Sequence, residues 1–190
     1  LNEEIAKSVR EQLLKISNEK HIPIVSSSLK KLDFGVKNIR FPSLTRGHLT
    51  LFKQILGALE HSSADIVFFT EHDVFYHSSH FDFVPPKDDT YYYNTNVWKV
   101  RWSDGHALKV NESKQLSGLC AYRTFLIEHY KKRIEIIEQR QKDIIASGQP
   151  LVDDGVSKYM GYEPGIHSDP RGVDHFPVEI WQSEYPNIDI

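Results

Sequence analysis

Cysteine is almost missing from this chain: Cys120 is the only one among 190 residues. An internal disulfide framework is excluded, and a reducing, cytoplasmic setting is the expectation. Long apolar runs are missing too. No stretch approaches the roughly 20 residues that span a bilayer, and none has the form of a signal peptide. Charge of one sign is not concentrated: the net charge is −3, without a lysine or arginine block. Nucleic-acid or anionic-membrane binding driven by bulk charge is therefore disfavoured. Repeats, low-complexity tracts and linkers are also lacking, so we expect one domain over residues 1–190. The chain starts at Leu1 in helix-like sequence. We expect a piece of a longer protein, truncated at its N-terminus.

What is present has the grammar of an α/β domain. Leu1, Ile5, Val9, Leu13 and Ile16 recur at helical spacing with charged residues between them, the pattern of an amphipathic helix. "IPIVSSS" reads as a short buried strand, followed by an irregular stretch containing Gly35 and Pro42. "HLTLFKQILGALE" predicts a second helix, and "DIVFFT" a central strand buried on both faces. Helix, strand, helix, strand points to a mostly parallel sheet flanked by helices. Further on, Asp104-Gly105 separates "YYYNTNVWKVRW" from "HALKV" and predicts a β-hairpin. A long helix through "AYRTFLIEHYKKRIEIIEQRQKDIIAS" should stop at Gly148. "VDDGVSKYM" predicts a short helix.

Several stretches carry chemistry. In "FFTEHDV" an apolar strand ends in Glu71 and Asp73, and strand periodicity puts both carboxylates on one side. Ligands of open α/β sheets bind outside the carboxyl ends of strands. Paired carboxylates there suit Mg²⁺ or Mn²⁺ holding a substrate's phosphates; a solvated acidic loop is the plainer reading. His72, His77 and His80 invite a zinc reading, but their spacing is not H-E-x-x-H and no partner cysteines accompany them. In "QLSGLCAYR", Ser117 and Gly118 could admit a ligand to the backbone, and Arg123 could meet a phosphate; a turn and a surface arginine are the alternatives. Cys120 has no histidine nearby in sequence to make it a nucleophile. Asp153 and Asp154 stand at a helix start, where one can cap and the other can serve as general base. Trp98, Trp102, Trp181 and Tyr91, Tyr92 and Tyr93 could be platforms for a sugar or base, or simply core. His167 and His175 lie in a loop-rich tail.

Taken in order, "FFTEHDV", the hairpin region, "QLSGLCAYR" and "VDDG" resemble a GT-A-fold glycosyltransferase of the family 2 type. The block "EHDVFYHSSHFDF…YYYN…W" resembles uncharacterised bacterial and phage members. The resemblance implies a single Rossmann-like domain, a nucleotide-sugar donor, an unidentified acceptor and a bound Mn²⁺ or Mg²⁺. Asp73 matches the last position of that class's D-x-D, and Glu71 replaces its first aspartate. Asp154 matches the catalytic base of the later acidic motif, with Asp153 in the neighbouring acidic place. Ser117, Gly118, Arg123 and Trp98 are the expected donor-binding residues. His175 or His167 is the candidate for a further metal ligand. This chain departs from the class in starting after the first nucleotide-binding strand. Two other readings remain open: a metal-dependent hydrolase or phosphoesterase using the histidines as well, and a carbohydrate- or nucleotide-binding module without catalysis.

Overall fold

The computed structural model describes residues 3–150, 161–166 and 176–190. The short helix expected at "VDDGVSKYM" lies outside them. In chain order the elements are α1 (Glu3–Lys20), β1 (Val25–Ser28), β2 (Lys37–Arg40), α2 (His48–His61), β3 (Ile66–Phe68), β4 (Val74–Phe75), β5 (Tyr91–Asn94), β6 (Val97–Val100), β7 (Ala107–Val110), β8 (Leu119–Tyr122), α3 (Arg123–Ala146), β9 (Val178–Trp181) and β10 (Asn187–Asp189). Short 3-10 turns cover Ser78–Asp82 and Leu116–Gly118. No described helix is long and apolar enough to cross a membrane.

The fold is mixed α/β and divides into two compact units. The first comprises Leu1–Ile24, Ile66–Tyr122 and Pro177–Ile190. It holds two four-stranded sheets, ordered β3-β8-β5-β9 and β4-β10-β6-β7. The expected mostly parallel sheet does not form. β8 runs antiparallel to both β3 and β5, β10 antiparallel to β4, and β6 antiparallel to β7; only β5–β9 and β10–β6 are parallel here. No α-helix lies between β3 and β8 to carry the chain back as a parallel crossover; four other strands and two short 3-10 turns intervene, and the direction follows from which distant strands pair. Nor is β3 a central strand: it is the edge of its sheet and only half-buried. The Asp104-Gly105 hairpin is present as expected. It joins β6 to β7 with Val100 opposite Ala107 and Gly105 at φ +70°, a conformation glycine adopts freely.

α1 buries Val9, Leu13 and Ile16 of the expected stripe together with Ala6, while Ile5 is half-buried. Each of the three larger side chains contributes about 1.5–3 kcal/mol by leaving water. The helix ends where His21 turns left-handed (φ 56°) and the Ile22 N–H reaches back to the Ser17 carbonyl at 3.0 Å.

The second unit comprises Val25–Asp65 and Arg123–Phe176. Here β1 and β2 are parallel, and β2 falls in the stretch that reads as irregular in sequence. Polar side chains tie the pair: the Asn38 amide donates to Ser26 and Ser28 Oγ at 2.9 and 3.0 Å. Facing them, α2 brings Gly57 so close to Phe41 that an added Cβ would meet its ring at 2.6 Å. α2 packs on α3 through Phe52 and Tyr130, whose rings lie 5.8 Å apart. The fully buried Arg133 places its guanidinium 5.0 Å from the Phe52 ring centre, within cation–π range, and donates to the Gly161 carbonyl. α3 stops as expected, with Gly148 at φ +73°.

Candidate functional site

The acidic motif sits on a turn and not on an extended strand. Ladder pairing of β3 ends with Phe68 opposite Cys120, and the Phe69 N–H reaches the Leu119 carbonyl. His72 and Asp73 then turn the chain into β4. Period-two alternation therefore does not set where Glu71 and Asp73 point. Glu71 and His72 are exposed and Asp73 is half-buried.

What fixes this turn is Tyr76, which sequence reasoning passed over. Its hydroxyl accepts the Glu71 N–H at 2.9 Å and donates to the Ser117 carbonyl at 3.2 Å. The Tyr76 N–H in turn donates to Gln12 Oε1 of α1. The ring is completely buried. Burial above all, with the Glu71 and Asp73 carboxylates adding to it, pushes the phenol well above its ordinary range. The hydroxyl therefore keeps its proton and its role as donor. At the other end of the turn, the Asp73 carbonyl accepts the Ile190 N–H at 3.0 Å.

The histidines after the turn are structural parts. His77 caps the following 3-10 turn, its Nδ1 accepting the Ser79 N–H, and packs on Tyr185. His80 is completely buried among Phe68, Tyr76, Phe81 and Trp181. Its Nδ1 accepts the side-chain amides of Asn94 and Asn187 at 2.8 and 3.0 Å, which leaves the ring proton on Nε2. Burial lowers its pKa to about 3, so the ring is neutral at physiological pH. Asn94 uses its whole polar capacity. The amide also donates to Ser183 Oγ at 2.9 Å, while Oδ1 accepts the N–H groups of Asn96 and Ser183. Residues 95–96 link β5 to β6 and residues 182–186 link β9 to β10. The network therefore clamps two of the places where the chain passes from one sheet to the other.

The remaining candidates are dispersed. Ser117 and Gly118 are buried, and what approaches Gly118 is the Asn94 backbone: an added Cβ would lie 2.8 Å from the Asn94 carbonyl oxygen. Arg123 donates from Nε to the Ala64 carbonyl at 2.7 Å and from its backbone to Asp65. Cys120 is buried, which pushes its thiol up and away from reactivity. Tyr91, Tyr92 and Tyr93 are core. Trp181 stacks on Phe83 at 4.5 Å. Trp98 and Trp102 are exposed on the β6–β7 hairpin. Asp153, Asp154, His167 and His175 lie outside the described residues.

In the second unit, a pocket of about 250 Å³ opens at the N-terminus of α2, lined by Arg46, Gly47, Thr50, Gln54 and Tyr162 among others. No side chain caps that helix, and Tyr162 stacks on His48. Sequence reasoning did not single it out, because its residues come from three separate stretches of the chain.

As for a metal, two carboxylates on one turn are a donor set that Mg²⁺ or Mn²⁺ accepts together with phosphate oxygens. Among the described residues no group of three or more His, Cys, Asp or Glu side chains is gathered to hold an ion by itself. Compared with protein-family models, with curated proteins and with solved structures, the chain matches none.

Proposed function

We propose that this chain is a metal-dependent glycosyltransferase of the GT-A type, moving a sugar from a nucleoside-diphosphate donor to an acceptor hydroxyl with inversion. One observation supports this reading above the others. The Tyr76 hydroxyl joins the Glu71 backbone to the Ser117 backbone, so one buried group holds together the acidic turn and the "QLSG" segment, the two motifs that this chemistry needs at one site. Glu71 and Asp73 would hold Mn²⁺ or Mg²⁺, with His175 as the further ligand. The ion, when bound, supplies positive charge to the departing diphosphate. Tyr76 keeps the turn in place. Asp154, with Asp153 beside it, takes the proton from the attacking hydroxyl. The histidine-assisted hydrolase draws no support from His77 and His80, both of which are occupied in structural hydrogen bonds.

A thermal-shift screen of nucleotide sugars with and without Mn²⁺ tests the reading. A donor at a hundred times its Kd adds about 2.7 kcal/mol and raises the midpoint. The expected result is a shift that needs the metal and disappears in Asp73→Asn. Asp154→Asn should keep the shift and lose turnover. A metal-dependent shift that survives Asp73→Asn removes the acidic turn from the site.

A further inference from the structure

The β6–β7 hairpin differs from the rest of the first unit in what it shows to solvent. From Trp98 to Lys109 every residue except Val100 is exposed. Three large apolar side chains are among them: Trp102 at the turn is 64% exposed, Leu108 58% and Trp98 36%. Between them stand Lys99, Arg101 and Lys109, with Asp104 the one acid, so residues 97–110 carry +2 in a chain whose total is −3. The register mixes the two kinds of side chain. Trp98 pairs with Lys109 and Lys99 with Leu108, so each face carries both a cation and an apolar group. On one face Lys99, Arg101, His106 and Leu108, with Asp189 and Ile190, line an open pocket of about 290 Å³. The ion pairs there, Lys99–Asp189 at 3.5 Å and Arg101–Asp104 at 3.3 Å, are long and partly exposed. Pairs of that kind contribute little in water and yield readily to another anion.

We infer that this hairpin docks the protein on an anionic lipid bilayer, with Trp102 at its tip and Leu108 entering the interface and a phospholipid headgroup phosphate seated between Lys99, Arg101 and His106. Tryptophan favours the boundary between headgroups and acyl chains. Lysine and arginine lay their stems along apolar surface while the charge stays with the phosphates. Leucine beside the cations favours lipid over single-stranded nucleic acid, where aromatic rings stack on bases and leucine has no counterpart role. The charge acts locally, so the acidic total of the chain does not oppose it beyond a Debye length. The inference is independent of the proposed glycosyl transfer.

The test is co-sedimentation of the whole chain with phosphatidylcholine vesicles that contain or lack phosphatidylserine, at low and high salt. Binding should require phosphatidylserine and weaken with salt. Arg101→Ala and Lys109→Ala should each lower affinity about fivefold, and Trp102→Ser should lower it at every salt concentration while circular dichroism stays unchanged. Lipid with brominated chains should quench tryptophan emission in the wild type and much less in Trp102→Ser. Absence of binding, equal binding to neutral vesicles, or equal binding by all variants overturns the inference. So does a dimer that Trp102→Ser converts to monomer, or binding to a single-stranded oligonucleotide without binding to vesicles.

Discussion

Two turns a few residues apart use similar polar residues to opposite ends. The Glu71–Asp73 turn faces solvent and is held by its backbone, through Tyr76 on one side and Ile190 on the other. The Ser78–Asp82 turn buries His80 and is held through that side chain, which two asparagine amides and four aromatic rings surround. A side chain that the fold uses as an anchor is lost to chemistry. At the acidic turn the hydrogen bonds to Tyr76 and Ile190 run through the backbone of Glu71 and Asp73. That contrast is why the acidic residues, and not the more conspicuous histidines, carry the functional reading.

Removing the anchor should give the largest effect. His80→Ala leaves a cavity among the rings and strands the amides of Asn94 and Asn187, a loss of about 3–5 kcal/mol in urea unfolding. A loss below about 1 kcal/mol would mean that the buried turn is no anchor and would erase the contrast. Acid should act on the same residue. The folded-state pKa of about 3 lies below the ordinary 6.5, so the unfolded chain takes up the proton first. His80 thus contributes stability in full above about pH 6.5, and that contribution is lost as pH falls from 6.5 towards 3. Its share of the slope should vanish in His80→Ala, which a pH series of midpoints for the two proteins reads directly.

Next in size is Gly118→Ala, which pushes a methyl against the Asn94 carbonyl oxygen and should cost about 1–3 kcal/mol. A neutral result would show that the "QLSG" segment can move away from β5. Tyr76→Phe removes both hydrogen bonds at the acidic turn and should cost about 1–2 kcal/mol; metal-dependent donor binding should weaken with it. Smallest of all is Asp73→Asn, within about 0.5 kcal/mol of wild type because the side chain lies on a turn, yet with metal-dependent donor binding lost. If Asp73→Asn proves as damaging to folding as His80→Ala, the two turns are not different in kind.

Much of the fold was legible from local pattern. The apolar stripe of α1, the Asp104-Gly105 turn and the glycine stop after α3 each depend on residues near one another in the chain. β2, β9 and β10 were not legible. β2 is held by serine–asparagine hydrogen bonds in place of apolar alternation, and the two late strands acquire partners only from segments far away in sequence. The candidate site divides in the same way. Glu71 and Asp73 stand out because acids follow an apolar run, whereas Tyr76 reads as one more core aromatic until its hydroxyl is seen between two backbones. Gly118 invites a ligand on paper and receives a neighbouring strand in the structure.

By itself, then, the sequence determined the helices, the hairpin and the residues able to do chemistry, since these follow from spacing, turn propensity and side-chain type. Strand direction, the division into two units and the burial of His80 were decided only in the tertiary structure. Those features depend on which distant segments share a ladder and which polar groups find partners away from water, and neither property resides in any one stretch of the chain.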